Sequence, residues 1–241
     1  NMKKITRAYN KTTDGQHSED DRLVIARKTL DGEELFWTNH TLLRKGVLTK
    51  DDCNKLITIM LSKEFSELDE SSLKGHSIEP MDKTLLDNNT SWKYAHPDGK
   101  DYMNLIPDSY EFNEAMEIVM DTLPDDEQYG LVNFAQIIKY NTGTLFHWHK
   151  DIADSNDSAT VIFTLNDNFE GGQFNLDGDT FNIGEGDSIA FNNSIDRWHN
   201  VSPITKGERF CFAIWFGISE DDNNEQSDSE MQSMSEGTSD T

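Results

Sequence analysis

The second half of the chain is a series of short β-rich segments separated by glycine-containing turns. The strand candidates are rich in β-branched and aromatic residues and span 131–140, 159–165, 173–176, 187–191 and 209–218. Turns with glycine and acidic residues separate them, at 170–172, 177–179, 184–187 and 206–208. Many short strands at close spacing are typical of a sandwich or a barrel, and this half of the chain therefore predicts one of these two architectures.

The first half of the chain contains two helix candidates. In the segment 42–62, Thr49 is expected to be a helix N-cap, with Asp52 three residues on and an apolar helical face after it. The segment 111–123 is a second amphipathic pattern, and the helix is expected to stop before Pro124. Helices followed by strands predict an α+β domain in which the N-terminal helices pack on one sheet.

The two ends of the chain differ in amino-acid composition from its centre. Residues 1–35 are polar and charged, and we expect an extension that contributes at most one strand. Residues 36–218 are expected to form a single domain, with helical support over 42–125 and a β-rich half over 130–218. Residues 219–241 consist mostly of Ser, Asp, Glu, Asn and Gln, a composition that predicts a disordered acidic tail.

The charge of the chain is strongly negative. Lys and Arg total 21 and Asp and Glu total 45 among 241 residues, which gives a formal net charge of −24. Nucleic-acid binding and docking on anionic lipid both need a basic surface, so we expect neither partner. The tail 219–241 carries eight of the acidic residues and no Lys or Arg. Such a tail usually solubilises a protein, and a basic binding partner is the alternative.

Cysteine usage and hydropathy bear on the compartment. Cys53 and Cys211 are far apart and form no CxxC pattern, which excludes a disulfide framework and a cysteine zinc site. Reduced thiols indicate an intracellular protein. The sequence has no apolar run of 18 residues and no apolar signal-peptide core near its first residue. We therefore expect a cytoplasmic protein.

Candidate metal ligands occur in the β-rich half. His149 and Asp151 are two residues apart, so in an extended chain they share a face at roughly 6–7 Å. His199 follows fifty residues after His149. Two histidines and one carboxylate form the facial triad of non-haem Fe(II) enzymes, which leaves one side of the metal open for a bidentate co-substrate and dioxygen. His147 shares the alternating face with His149 and is a rival ligand.

An arginine stands at the start of the last apolar strand. Arg209 follows His199 by ten residues, and alternation places Cys211, Ala213 and Trp215 on the same face as Arg209. A buried arginine is costly unless it meets an anion. A guanidinium suits a carboxylate, because two parallel hydrogen bonds match its fork. We therefore expect Arg209 to bind a carboxylate, with a salt-bridged strand end as the alternative.

Taken in order, these pieces resemble the iron(II)- and 2-oxoglutarate-dependent dioxygenases, specifically their prolyl 4-hydroxylase-like branch. The resemblance extends from Tyr140 to Ile218. The matching pieces are the approach to the His-x-Asp motif (140–151), the central hairpin (159–174), the turn before the second histidine (184–187), the pair His199 and Arg209, and Trp215 six residues further.

The resemblance implies a metal site and a co-substrate site. The catalytic residues and Fe(II) ligands would be His149, Asp151 and His199. The residues for 2-oxoglutarate would be Arg209 on its distal carboxylate, Tyr140 and Thr164 as hydrogen-bond partners, and Trp215 on the pocket wall. The fold would be a double-stranded β-helix, a jelly roll with the metal between its sheets.

The activity that the resemblance implies is hydroxylation of a prolyl residue in a peptide or protein. Decarboxylation of 2-oxoglutarate to succinate would accompany it, with dioxygen as the oxidant and ascorbate as a further cofactor that such enzymes can use. Relatives with the same metal residues act on lysyl residues, free amino acids or small metabolites, and these substrates stay open. Substrate choice would lie in loops outside the motif, with 64–104 as the candidate region. A non-catalytic jelly-roll binding module is the alternative of another class.

Two tryptophans beside the proposed ligands and four histidines outside the motif are interpreted as structural rather than functional residues. Trp148 and Trp198 flank the proposed ligands, and we interpret both as packing residues. The histidines in polar surroundings are interpreted as surface residues: His17, His40, His76 and His96.

Overall fold

The computed structural model describes residues 41–73, 78–123, 131–151, 157–193 and 197–217. The predicted extension (1–35) and acidic tail (219–241) lie outside these residues, so their boundaries stay predictions. His17, His40 and His76 also lie outside them. Within the described ranges, no helix combines the length and the apolar character that a membrane span requires.

The described residues are mostly β-sheet with few helices, in agreement with the coarse prediction. The helices are α1 (Lys50–Ser62), α2 (Lys83–Asp87) and α3 (Tyr110–Val119). The strands are β1 (Thr41–Arg44), β2 (Trp92–Ala95), β3 (Lys100–Leu105), β4 (Leu131–Tyr140), β5 (Phe146–His149), β6 (Asp157–Thr164), β7 (Glu170–Gly171), β8 (Phe174–Leu176), β9 (Asp179–Phe181), β10 (Ser188–Asn192), β11 (His199–Val201), β12 (Ile204–Lys206) and β13 (Arg209–Gly217).

Helix α1 begins where the sequence predicts it. The Thr49 hydroxyl accepts a hydrogen bond from the Asp52 backbone N–H at 3.2 Å, and Asp52 Oδ2 accepts one from the Thr49 backbone N–H at 3.1 Å. This capping box satisfies N–H groups that have no partner inside the helix. Ser109 is the N-cap of α3, since its hydroxyl accepts a hydrogen bond from the Phe112 N–H at 3.1 Å.

The strands form two principal antiparallel sheets. The seven-stranded sheet has the order β1-β10-β6-β13-β4-β3-β2, and the four-stranded sheet has the order β5-β11-β8-β9. A two-stranded ribbon joins β12 and β7. Residues of both principal sheets contribute to one hydrophobic cluster, among them Tyr140 and Phe191 of the larger sheet and Phe174 and Val201 of the smaller one. The two sheets therefore enclose a common interior.

Strand β13 separates two hydrophobic clusters. Its residues Phe210, Phe212, Ile214 and Phe216 lie in a cluster with buried residues of α1 and α3. Cys211, which points to the other face, belongs to the cluster between the sheets. The predicted alternation along β13 is thus confirmed, and it assigns Arg209 and its face to the interior between the two sheets.

The sequence analysis did not predict strands β1, β2 and β3. In β2 and β3, Lys93 and Lys100 are buried, with exposures of 7% and 2%, which hides any alternation of polar and apolar residues. Their charges find partners in the β2–β3 turn and in more remote parts of the chain. The Lys93 ammonium lies 4.2 Å from the Phe65 ring centroid, and Lys100 Nζ donates to Asp98 Oδ2 at 2.7 Å and to the Leu145 carbonyl at 2.9 Å. The contacts with Phe65 and Leu145 join residues far apart in the chain, so they leave no local pattern.

Candidate active site

Strand pairing brings the three predicted metal ligands together. His149 ends β5 and His199 begins β11, and these two residues face each other in the antiparallel register of the smaller sheet. Their ring centroids are 4.1 Å apart. Asp151 follows β5 directly, and one ligand atom from each of the three residues lies within 4.8 Å of the others. One cross-strand pair therefore brings together two histidines that are fifty residues apart in the chain.

Backbone carbonyls fix the tautomers of both histidines. His149 Nδ1 is 2.7 Å from the His147 carbonyl oxygen, and His199 Nδ1 is 3.1 Å from the Arg197 carbonyl oxygen. A carbonyl can only accept, so each Nδ1 carries a proton, and each Nε2 is the nitrogen that faces Asp151. The two Nε2 atoms lie 3.6 Å and 3.4 Å from Asp151 Oδ1. Three donor atoms thus converge on one point.

The two oxygens of Asp151 have different surroundings. Oδ2 accepts hydrogen bonds from Thr160 Oγ1 at 2.8 Å and from Trp215 Nε1 at 2.9 Å, while Oδ1 faces the imidazoles. Burial opposes ionisation of Asp151. The hydrogen bond and charge of His199, the charge of His149 and the bond from Thr160 outweigh burial and lower the pKa to about 2. Asp151 is therefore a carboxylate, the form that binds metal ions.

His147 and the two neighbouring tryptophans stand outside this cluster. His147 is exposed and contributes its carbonyl to His149, while its imidazole is not part of the three-residue group. Trp148 and Trp198 are 49% and 47% exposed, so their interpretation as packing residues is wrong. Each directly precedes a ligand in the chain, and alternation turns it to the opposite face of the smaller sheet. There Lys150 Nζ lies 5.4 Å from the Trp198 ring centroid.

The predicted co-substrate residues line the interior face of the larger sheet. Arg209 pairs with Tyr140 across β13 and β4, and Cys211 pairs with Thr164 across β13 and β6. The Arg209 guanidinium carbon lies 5.1 Å from the Tyr140 ring centroid, and the two residues are only 2% and 3% exposed. Pairing across three adjacent strands brings these four residues together.

Two polar atoms of this group have no hydrogen-bond partner within the described residues. They are Arg209 Nη1 and Thr164 Oγ1, both buried. An unsatisfied buried donor costs about 1–3 kcal/mol, and more when the group is charged. A bound carboxylate would satisfy both atoms, since it offers several acceptor sites to a guanidinium and a hydroxyl. The residues therefore fit the distal carboxylate of 2-oxoglutarate.

A glycine turn leaves space beside Arg209. A cavity of about 190 Å³ is lined by Arg209, Gly172, Phe174 and neighbouring residues. Gly172 has a φ of +65°, and a Cβ atom there would lie 2.5 Å from Ile204 Cδ1 and 3.2 Å from Arg209 Cδ. A larger residue would meet both a steric and a conformational penalty. The Gly171–Gly172 pair thus forms a tight turn that lets the backbone approach the arginine.

Burial keeps the two other polar groups near Arg209 neutral. Burial is the main cause that raises the pKa of Tyr140 well above its usual value, and the charge of Arg209 only partly opposes it. Burial likewise raises the pKa of the Cys211 thiol, which has Arg209 and Tyr140 as hydrogen-bond neighbours. Tyr140 is therefore a neutral phenol, able to donate a hydrogen bond to an anion beside Arg209.

The interpretation of His96 as a surface residue is wrong. Its side chain is only 10% exposed, and its Nδ1 lies 3.0 Å from Asp98 Oδ1. The ring also meets Tyr102 edge to face at a centroid distance of 5.6 Å. The polar neighbours in sequence, including Asp98, are its partners in the β2–β3 turn rather than a sign of exposure.

Sequence reasoning missed three buried polar residues around the triad. Thr160 bonds to Asp151, and Asn193 Nδ2 donates to Thr160 Oγ1 at 2.8 Å. Arg197 lies 2.5 Å from Asp177 Oδ2 and donates to Thr41 Oγ1 at 2.7 Å, which fixes the chain just before His199. Only Thr160 had a usable signal, because it shares the interior face of β6 with Thr164, four residues on.

Comparison with known proteins confirms the resemblance seen in the sequence. Residues 135–217 match the family model described as the 2OG-Fe(II) oxygenase superfamily. This segment contains the triad, Arg209, Tyr140 and Thr164, and it carries the pattern of that superfamily. Together with the His149–Asp151–His199 cluster, the match confirms Fe(II) and 2-oxoglutarate as the predicted metal and co-substrate. No curated protein sequence matches the chain significantly.

Solved structures share the fold. One is a viral collagen prolyl hydroxylase from Paramecium bursaria Chlorella virus 1, in complex with 2OG. It has 15% sequence identity and a TM-score of 0.50, with 75% of this chain and 96% of that chain covered. Another is a prolyl hydroxylase from Trichoplax adhaerens in complex with a peptide fragment of hypoxia-inducible factor. It has 15% identity and a TM-score of 0.51, with 79% and 87% covered. The fold predicted from the resemblance is consistent with both.

Proposed function

We propose that this protein is an Fe(II)- and 2-oxoglutarate-dependent hydroxylase that acts on prolyl residues in a peptide or protein. The observation that carries the proposal is the joint geometry of the interior. The His149–Asp151–His199 cluster lies at one end of the β6–β13 pair, through the bonds from Thr160 and Trp215 to Asp151. The unsatisfied Arg209 Nη1 and Thr164 Oγ1 lie at the other.

The metal would be held by three atoms of this chain. His149 Nε2, His199 Nε2 and Asp151 Oδ1 are the three atoms that face one another, while the other nitrogen or oxygen of each residue is hydrogen-bonded to the protein. Histidine and carboxylate ligands in a 2:1 set suit Fe(II) and leave the other coordination positions open. An aspartate at position 151, rather than a small residue, favours hydroxylation over halogenation.

The co-substrate would be oriented by the larger sheet. In this proposal Arg209 pairs with the distal carboxylate, and the Tyr140 phenol and the Thr164 hydroxyl donate further hydrogen bonds to it. All three side chains are at most 3% exposed, so the bonds form away from competing water. Trp215 supports Asp151 through its indole N–H, a more specific role than the pocket wall first expected.

Bound Fe(II), 2-oxoglutarate and dioxygen supply the oxidising chemistry of C–H hydroxylation, with succinate and carbon dioxide as by-products. The protein contributes binding, orientation and shielding. His149 is the most open of the three ligands, with a side chain 25% exposed against 4% for His199. A cleft of about 260 Å³ runs along His149, His147, Phe146 and Lys100. We assign the approach of the substrate to this side.

The prolyl substrate is supported by the fold neighbours alone. One of them is a collagen prolyl hydroxylase, and another was solved with a peptide of hypoxia-inducible factor. Lysyl residues, a free amino acid or a small metabolite are the alternatives for the same chemistry. We also propose one oxygenase domain over 36–218, in which α1 and α3 support the larger sheet through their shared hydrophobic cluster.

The test is an anaerobic titration of the full chain with Fe(II) and 2-oxoglutarate. We expect a visible charge-transfer band from the chelate, followed in air by succinate formation that proline-rich peptides stimulate. A matched peptide with alanine in place of proline is the control and should not stimulate succinate.

Three outcomes separate the possibilities. A band with proline-dependent stimulation supports the whole proposal. A band without stimulation keeps the oxygenase and overturns the prolyl substrate, so that lysyl peptides and free amino acids are tested next. A folded, metal-loaded sample with no band overturns the oxygenase and favours the non-catalytic binding module.

A further inference from the structure

A chain of hydrogen bonds runs from the core to the metal site. Asn193 Nδ2 donates to Thr160 Oγ1 at 2.8 Å, and Thr160 Oγ1 donates to Asp151 Oδ2 at 2.8 Å. Thr160 is fully buried and Asn193 is 7% exposed. The two residues come from paired strands, since Thr160 lies on β6 and Asn193 directly follows β10. Solvent therefore does not compete for these bonds.

The direction of the chain follows from the chemistry of its members. A carboxylate that binds a metal is deprotonated and can only accept. The single hydroxyl proton of Thr160 must then go to Asp151, and the Thr160 oxygen must accept from its other neighbour. A carboxamide N–H at position 193 supplies that donor, which also settles the orientation of the Asn193 amide. Asn193 thus donates to Thr160, and Thr160 donates to Asp151.

The bond from Thr160 gives Asp151 a second anchor. The terminal torsion of an aspartate is soft, so a single hydrogen bond from Trp215 would leave the carboxylate free to rotate. Two donors from different strands, Thr160 and Trp215, restrict Oδ2 and leave Oδ1 facing both imidazoles. A carboxylate held in this way offers one oxygen to a metal and leaves the other coordination positions for further ligands.

Asn193 occupies this place at a cost to stability. Its Oδ1 is buried and has no hydrogen-bond partner within the described residues. An apolar residue of similar size would avoid that unsatisfied acceptor. An amide kept at such a position needs an explanation, and donation to Thr160 is the interaction that it makes.

We propose that Thr160 and Asn193 are positioning residues that hold Asp151 so that only Oδ1 reaches the metal. The inference rests on the proposed function, because it assumes the Fe(II) site. It adds two residues that the sequence motif does not contain. The inference also predicts an effect that a purely structural role would not produce. Loss of the Asn193 amide should lower the metal affinity without lowering the stability of the fold.

The experiment compares the full-length wild type with Thr160→Val, Thr160→Ser and Asn193→Leu. Anaerobic titration with Fe(II), and with Co(II) as a spectroscopic probe, gives the metal dissociation constant and the visible spectrum of the bound ion. We expect Thr160→Val and Asn193→Leu to weaken metal binding by about 10-fold, the lower range for a lost outer partner of a metal ligand. Thr160→Ser keeps the hydroxyl and should restore most of the affinity. We expect an unchanged or higher Tm for Asn193→Leu.

Ser91→Ala is the matched control. Ser91 is fully buried and its hydroxyl bonds to Ser109 Oγ at 2.6 Å and to the Ile106 N–H at 3.0 Å, away from the triad. This variant should lose stability and keep the wild-type metal affinity. It shows what the loss of a buried hydroxyl does when no metal ligand depends on it.

The result that overturns the inference is wild-type metal affinity and a wild-type Co(II) spectrum in both Thr160→Val and Asn193→Leu. Since wild-type protein would still bind metal, the proposed function would stand in that case. If Thr160→Val did not fold, Asn193→Leu alone would decide. A wild type that bound no metal would overturn the proposed function, and the inference with it.

Discussion

Trp215 and Asp151 lie 64 residues apart in the chain, yet the indole Nε1 donates to the carboxylate Oδ2 at 2.9 Å. The indole ring also packs on Phe134 of the adjacent strand, at a centroid distance of 5.2 Å. Strand β13, which lies between β6 and β4 in the larger sheet, therefore carries groups for two proposed tasks. Arg209, at its start, is the proposed partner of the co-substrate, and Trp215, near its end, donates to the proposed metal ligand Asp151.

Trp215→Phe should weaken Fe(II) binding by about 10-fold, because it removes one of the two hydrogen bonds that hold Asp151 Oδ2. The phenyl ring keeps most of the packing on Phe134, so the fold should survive. Anaerobic metal titration measures the change. Trp198→Phe is the control, because Trp198 is half-exposed on the face of the smaller sheet that points away from the three clustered residues. Equal metal affinity in wild type and Trp215→Phe would show that the indole only packs.

His199→Ala should weaken Fe(II) binding by more than about 100-fold, a larger loss than changes to outer partners cause. The reason is that His199 supplies one of three donor atoms within 4.8 Å of one another. His147→Ala tests the alternative that His147 is the ligand. His147 is exposed, so this substitution should leave the iron affinity unchanged. Circular dichroism checks the fold of both variants. Loss of iron in His147→Ala, with retention in His199→Ala, would contradict the assignment.

Arg209→Gln should raise the 2-oxoglutarate concentration needed for half-maximal turnover by about 10- to 100-fold. This range corresponds to the ~1.5–3 kcal/mol of a hydrogen bond to a charged group. Iron should remain bound, because Arg209 is not among the clustered ligands. Lys206→Ala removes an exposed charge nearby, paired with Glu170, and serves as the control. An unaltered dependence on 2-oxoglutarate in Arg209→Gln would make the arginine a structural residue.

The stability of the protein should fall as the pH rises from about 9 to about 11. Burial, with a smaller contribution from Glu185, raises the pKa of the Cys53 thiol from 9.0 to about 11. In this window the unfolded chain releases the thiol proton and the folded chain keeps it, so the unfolded state binds fewer protons and is favoured by increasing pH. Below pH 9 both states are protonated and the effect vanishes.

Denaturant titrations of wild type and Cys53→Ala at several pH values test this effect. The variant should be less stable at neutral pH, because a buried side chain is truncated, but its stability should decline less steeply between pH 9 and 11. The buried tyrosines also produce a decline in both proteins, beginning at about pH 10 where tyrosines of the unfolded chain ionise, since burial raises their pKa values in the folded state. Parallel declines in the two proteins would show that Cys53 does not contribute.

Local patterns accounted for the parts of the fold that depend on near neighbours. The capping box at Thr49 and Asp52 involves residues three apart, and the alternation along β13 is a property of one strand. Both were predictable because hydrogen bonding within a helix end and side-chain direction along a strand are set by the adjacent backbone. The strands β2 and β3 were missed because their buried lysines have partners far away in the chain, Phe65 for Lys93 and the Leu145 carbonyl for Lys100.

The sequence by itself determined which residues could bind a metal and a dicarboxylic acid. His149, Asp151, His199 and Arg209 were recognisable because their residue types, order and spacing can be read from the chain and resemble a known family pattern. Tertiary structure alone decided which atoms of these residues converge and which are bonded to other parts of the protein. Hydrogen bonds with the His147 and Arg197 carbonyls, Thr160 and Trp215 occupy one side of each proposed ligand. Arg209 Nη1 and Thr164 Oγ1 find no hydrogen-bond partner among the residues that the structure describes. The physical reason is that hydrogen bonds between strands depend on register and burial, which form only when the two sheets pack.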